Sequence, residues 1–291
     1  MSPAHDNPLF PIPFGLLMGP QRAGTTWVDR YLRSRGDVCL PEEVKEVFFF
    51  DRNFQRGSDF YKSHFKLSDQ DKLAIEITAT SFDHPEAAKR VEEVFGRDVK
   101  LVCPLRHPIT RSYSLYLHYL RYGLVKGTLQ DAIEQVPQIL DSSRYTEHLS
   151  KWFDIFGQDN ITLIYQEELE SDQLSFVKKL CDGLGLDFVE PSEEVQGRYN
   201  ITTFSKFGFL AFLSQQVADF LRYYRLYFII NFAKSIGVKK LIFGKERPDA
   251  KKDNIPEEDL IFLKEKIGLE ADKFEKFIGQ KVLFWQGIYE D

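Results

Sequence analysis

Short apolar runs alternate, along the first two thirds of this chain, with stretches whose apolar residues recur every three or four positions. Phe14-Gly15-Leu16-Leu17-Met18 is an unbroken apolar run of strand length. Residues 26–35 follow it with Trp27, Tyr31 and Leu32 on one helical face. The same pairing returns three times: a strand over 72–77 with a helix from about 84 to 95, a strand over 99–105 with a long helix over 108–121, and a strand over 160–165 with a helix over 167–184. Strand-helix alternation at this spacing predicts an α/β fold, a parallel sheet flanked by helices on both faces. Ligands of such sheets sit beyond the carboxyl ends of the strands. The turns after Met18, Leu105 and Tyr165 are therefore expected to converge on one site.

The pattern changes after residue 198. Phe207, Leu210, Leu213, Val217, Leu221 and Tyr224 fall at steps of three and four, and 223–232 is apolar on nearly every side. The segment 204–232 reads either as helices packed on the sheet or, given Lys206, Arg222, Arg225 and Lys234, as a peripheral membrane contact. Residues 255–285 read as a capping amphipathic helix with an aromatic tail, so the α/β core carries added C-terminal helices. Residues 1–13 are Pro-rich and polar and read as irregular. No repeat or linker interrupts the chain, which predicts a single domain over 1–291.

Composition adds three constraints. Apolar residues make up 43% of the 291, with 26 Phe and 13 Tyr, enough for a sizeable core and for aromatic packing or an apolar cleft. The net charge of −6 argues against a nucleic-acid partner. That charge is uneven: residues 198–252 hold eleven Lys/Arg against three Asp/Glu, leaving −14 for the remainder. A basic stretch in an acidic chain suits an anionic ligand or surface, or is a solvated face. Cys39, Cys103 and Cys181 are widely separated and form neither a disulfide framework nor a zinc pattern, and Cys103 lies in an apolar run that predicts core. The start lacks a signal pattern, and no window has the apolar length of a membrane span. A cytoplasmic location follows as the expectation.

The chemistry begins at Gly19-Pro20-Gln21-Arg22-Ala23-Gly24-Thr25-Thr26, between the first strand and its helix. Such a turn presents bare N–H groups and the positive end of a helix dipole to an anion. Its spacing nearly matches the Walker A pattern, but Thr25 stands where the P-loop lysine belongs. A cation is found three residues earlier, as Arg22. An ordinary strand-helix turn is the bland reading of this stretch alone.

Three more stretches follow in order: Lys45-Glu46-Val47-Phe48-Phe49-Phe50-Asp51, Arg106-His107-Pro108-Ile109-Thr110-Arg111-Ser112-Tyr113-Ser114, and Tyr165-Gln166-Glu167-Glu168-Leu169. Together the four resemble the sulfotransferases that use 3′-phosphoadenosine 5′-phosphosulfate (PAPS), of the bacterial and glycan-modifying kinds, over about residues 14–190. The first resembles that family's 5′-phosphosulfate loop, the third its 3′-phosphate motif, the fourth its downstream Tyr-Glu-Asp-Leu stretch. The second resembles the Lys-Glu-x-x-Phe-Phe stretch that supplies the base in glycan-modifying members. The resemblance implies a P-loop-like sheet and transfer of a sulfuryl group from PAPS to an acceptor hydroxyl, or less readily an amine, with adenosine 3′,5′-bisphosphate (PAP) released and no metal needed.

It also implies roles. Arg22, Ala23, Gly24, Thr25, Thr26 and Trp27 would hold the phosphosulfate, with Arg22 stabilising charge on the bridging oxygen as the bond opens. Arg22 keeps its proton and so acts electrostatically. Arg106 and Ser114 would grip the 3′-phosphate, the arginine in two-pronged fashion. Glu46 would be the general base, against the reading of a salt-bridged strand residue. Lys45 points to the opposite side if that stretch is a strand, and receives no role. Tyr165 lines the cleft or is a core tyrosine, and Gly244-Lys245-Glu246-Arg247-Pro248 is either a basic loop over the 3′-phosphate, using Lys245 and Arg247, or a bare linker.

One departure stands out. Glycan sulfotransferases often carry Glu-Lys-Thr-Pro, whereas this chain has Glu76-Ile77-Thr78-Ala79, which removes a cation and puts a glycan acceptor in doubt beside small-molecule or lipid-like ones. The cytosolic branch's histidine motif is absent too. The rivals are a P-loop kinase-like phosphotransferase, disfavoured by Thr25, and a non-catalytic nucleotide-binding module.

Overall fold

In the computed structural model, residues 9–196 and 255–289 are described, with Val217, Leu221 and Ile229 as isolated positions. Lys245, Arg247 and the expectations for 204–232 therefore lie outside the described residues. The chain divides into two compact units, one of Met1–Pro108, Ser142–Arg198 and Leu269–Asp291, the other of Ile109–Asp141 and Tyr199–Gly268.

The first unit is built on five parallel strands in the order β2-β3-β1-β4-β5: β1 (Phe14–Met18), β2 (Val38–Cys39), β3 (Leu73–Thr78), β4 (Lys100–Leu105) and β5 (Ile161–Tyr165). Each strand expected from the apolar runs forms within a residue or so of its expected place. Every residue of β1 and β3 is buried, as a parallel sheet covered on both faces requires. Side chains alternate between two apolar layers with the strand period of two. Phe14, Leu16 and Met18 enter a layer with Val91 and Phe95 of α3 (Ala87–Phe95), Trp152 of α7 (Tyr145–Phe156) and Phe274 of α12 (Glu270–Ile278). Leu17 enters the opposite layer with Val28 and Leu32 of α1 (Thr25–Arg35) and Phe176 and Leu180 of α9 (Gln173–Leu184). Aromatic rings dominate the first layer: Phe14 stacks on Phe95 at 3.9 Å between centroids, and Phe49 on Tyr61 at 4.5 Å. All three cysteines are free and buried, Cys103 completely.

Three local expectations change. The helix over 167–184 is two, α8 (Gln166–Ser171) and α9, because the Asp172 carboxylate accepts the Ser175 N–H at 3.0 Å and caps a new helix. The C-terminal helix is also two, α11 (Glu257–Ile267) and α12, followed by a 3₁₀ turn over Leu283–Trp285. The stretch after Lys45 is not a strand: Phe49–Asn53 is a π-helical turn, entered through Phe48 at a φ of 54°.

The second unit contains most of α4 (Pro108–Arg121), then α5 (Leu129–Gln135), α6 (Gln138–Asp141) and α11. A Thr128/Asp131 capping box starts α5. The fully buried Arg111 donates to the Ile139 carbonyl at 2.5 Å and to Ser112 Oγ at 3.2 Å.

Candidate active site

Strand order reverses at β1, which has β3 on one side and β4 on the other. The crevice beyond the carboxyl ends of β1 and β4 is thus the topological place for a ligand. The chain leaves β1 through Gly19, where a Cβ would lie 2.5 Å from the Pro104 carbonyl oxygen, so only glycine lets the turn pass this close to β4. Arg22 and Gly24 then take left-handed conformations, with φ of 76° and 86°. Glycine adopts this freely, but a non-glycine residue there costs of order 1–3 kcal/mol and marks a turn held for a purpose.

Helix α1 begins directly after this turn with no side-chain cap and no acidic residue in its first turn. The Trp27 and Val28 N–H groups both go to the Gly24 carbonyl. Those of Thr25 and Thr26 have no acceptor among the described residues, leaving donors and the positive helix end facing outward.

A strap after β2 crosses beside the turn. Arg33 of α1 donates from Nη2 to the carbonyls of Pro41 (2.9 Å) and Val44 (3.2 Å). Beyond the pair Lys45-Glu46 the strap is pinned again: Val47 N–H donates to Glu76 Oε1 at 2.9 Å, and its carbonyl accepts from Asn53 at 2.9 Å. Between the anchors, Lys45 Nζ donates to Thr25 Oγ1 at 2.9 Å and meets Glu46 Oε1 at 3.3 Å, while Glu46 Oε2 accepts the Ala79 N–H at 3.2 Å. Lys45 therefore does not point away from Glu46; without strand geometry the alternation of sides is lost. Glu76, inside β3, is fully buried and also accepts from Tyr61 OH at 2.7 Å. Burial pushes its carboxyl up to about 8; the bonds from Tyr61 and Val47 oppose this, and the nearby Glu46 and Asp51 charges add to it. Ile77, in the lysine position of the glycan pattern, is buried in the sheet.

The turn after β4 carries Arg106, whose backbone is fixed on both sides. Its carbonyl accepts from Tyr145 OH at 2.6 Å, and the next N–H, of His107, donates to Glu167 Oε1 at 2.8 Å. Glu167 Oε2 in turn accepts from Trp285 at 3.0 Å. Arg106 is 5% exposed, yet its guanidinium has no hydrogen bond or ion pair among the described residues. An arginine held this way at a strand end has its guanidinium donors available to an anionic ligand. His107 is held neutral, its imidazole lowered to about 4 by burial and by Arg106, which disqualifies it as a cation at neutral pH. Tyr165 packs its ring edge-on to Trp285 at 5.4 Å, and its buried hydroxyl has no partner among the described residues.

The structure thus brings the turn of Arg22 to Thr26 together with Glu46, and sets Arg106 at the end of the neighbouring strand. It does not bring Trp27 into the turn's cradle: the indole lies in the apolar layer and donates to the Val195 carbonyl at 3.0 Å. Ser114 is buried on α4, in the second unit. Sequence reasoning missed Lys45, for lack of the strap's geometry, and Tyr145, although Tyr145, Leu149, Trp152 and Phe156 have a readable helical spacing. Among the described residues no group of three or more His, Cys, Asp or Glu is placed to hold a metal ion, and no helix is long and apolar enough to cross a membrane.

Residues 15–210 match the profile described as sulfotransferase domain. The chain is 27% identical over 192 residues to the bifunctional heparan sulfate N-deacetylase/N-sulfotransferase 1 of Caenorhabditis elegans, covering 60% of this chain and 22% of that protein. It is 29% identical over 188 residues to human heparan sulfate glucosamine 3-O-sulfotransferase 6, covering 60% of this chain and 52% of that one. The chain therefore spans about a fifth to a half of the length of these relatives. A sulfotransferase from Alicyclobacillus acidocaldarius shares the fold, with a TM-score of 0.66 at 17% identity over 94% of this chain and 98% of that one.

Proposed function

We infer the chemistry from one premise: this chain belongs to the sulfotransferase domain family. The reaction we propose is transfer of a sulfuryl group from PAPS to an acceptor hydroxyl or amine, with release of PAP. The observation that carries it is Arg106, buried and with no hydrogen bond or ion pair from its guanidinium among the described residues, at the end of the strand beside the anion-seating turn. A donor with phosphosulfate at one end and a 3′-phosphate at the other fits these two features.

PAPS supplies the activated sulfuryl group. The Thr25 and Thr26 N–H groups and the start of α1 hold the phosphosulfate, and Arg22 faces the negative charge that grows on the bridging oxygen. Arg106 holds the 3′-phosphate. Glu46, fixed by the Ala79 N–H, takes the acceptor's proton. The names of the two relatives support a sugar acceptor over a lipid-like one, and the three free cysteines support a reducing, cytoplasmic setting.

Labelled-PAPS transfer in the presence of a metal chelator, against glycans, phenols, lipids and small metabolites, tests this reading. Transfer to one class is expected, and Glu46→Gln should lower kcat ~100- to 10,000-fold while leaving PAP affinity intact. A wild-type protein with no affinity for PAPS or PAP sinks it.

A further inference from the structure

Thr25 occupies the position at which a P-loop would place its lysine. An ammonium nonetheless reaches this point, carried by a different segment: Lys45 Nζ lies 2.9 Å from Thr25 Oγ1. The same ammonium lies 3.3 Å from Glu46 Oε1. Lys45 thus bridges the hydroxyl of the donor turn and the carboxylate assigned as base, the interval across which a transferred group must pass. Its position is built rather than incidental, since Arg33 fixes the strap before it and Glu76 and Asn53 fix the strap after it. The side chain is about a quarter exposed, so it is open to a ligand from one side.

We propose that Lys45 grips the sulfuryl group of the donor itself, and so distinguishes PAPS from its spent product PAP. The inference rests on the donor reading above and goes beyond it by assigning a residue that senses whether the donor is loaded. In the transfer, a lone pair of the acceptor oxygen or nitrogen forms the new bond to sulfur. The bond from sulfur to the phosphate oxygen breaks, and its electron pair stays on that oxygen. The acceptor's proton passes to Glu46. The three outer sulfuryl oxygens carry negative charge throughout, and Lys45 stays beside them from the Thr25 side to the Glu46 side. Engaging those oxygens also draws the ammonium off Glu46, which leaves the base free to accept a proton only when a loaded donor is present.

Calorimetry with both nucleotides tests this without knowledge of the acceptor. Two neutral variants of similar length, Lys45→Met and Lys45→Gln, are compared with Lys45→Arg and wild type, with thermal unfolding as a check on the fold. The expected result is PAPS affinity weakened ~10- to 100-fold in the neutral variants, the range of one charge-assisted hydrogen bond, with PAP affinity within about twofold of wild type. Lys45→Arg should retain most of the difference. Unchanged affinity for both nucleotides overturns the assignment, as does equal weakening of both, which would mark a merely structural lysine. A wild type that binds neither nucleotide overturns the donor reading first, and this inference with it.

Discussion

The turns after β1 and β4 leave neighbouring parallel strands at the same edge of the sheet, yet they are equipped for an anion by opposite means. The first offers backbone: two left-handed residues, an uncapped helix start, and cations that arrive on partly exposed side chains. The second offers one buried guanidinium whose backbone is clamped by Tyr145 and Glu167. A cradle of N–H groups with adjustable cations suits a group that must change its bonding during a reaction. A single clamped arginine suits a phosphate that only has to be held. On the proposed donor reading, the difference would separate turnover from affinity along the chain.

Crossed substitutions are the strongest way to break that separation. Arg22→Ala should lower kcat ~100- to 1,000-fold, in the range for removing one transition-state donor, with a small change in PAP affinity. Arg106→Ala should weaken PAP ~100-fold or more with a smaller loss of kcat. Equal, small effects from both would dissolve the distinction.

The glycines of the first turn sharpen it. Gly19→Ala forces a methyl against the Pro104 carbonyl and should cost about 1–3 kcal/mol in denaturant unfolding. Gly24→Ala meets no close atom but must hold a φ of 86°, and should cost about 1 kcal/mol. If Gly24→Ala proves the more harmful to stability, backbone crowding against β4 does not shape this turn.

The last test reads a slope with pH and concerns the strap beside the first turn. Glu76 has a folded pKa of about 8 against an ordinary 4.5, so between these values the folded protein holds a proton that the unfolded chain has released. Its contribution to stability is full below 4.5 and is lost as pH rises through 8. The slope from this group is at most ~1.4 kcal/mol per pH unit. Glu76→Gln should flatten the stability profile between pH 5 and 8, and parallel profiles for variant and wild type would count against the assignment.

Much of this was legible in the residue order. Four strands and their order of appearance, the turn at Gly19 to Thr26 and the arginine after β4 follow from apolar runs and from a glycine-threonine pattern between them. The two-residue β2 is too short to leave a period, and the break at Asp172 needed a cap that only the Ser175 N–H makes evident. Trp27 looked like part of the nucleotide turn because it is adjacent in sequence, but one helical step rotates its side chain into the apolar layer.

Local periodicity and turn chemistry determined which segments become strands and helices, and which two arginines end up at strand ends, because those are short-range preferences of the backbone. Only the tertiary structure decided that Lys45 would reach Thr25, twenty residues away, and that Arg106 would be buried with no hydrogen bond or ion pair from its guanidinium among the described residues. Both depend on which distant groups pack together, and neither a period nor a spacing carries that information.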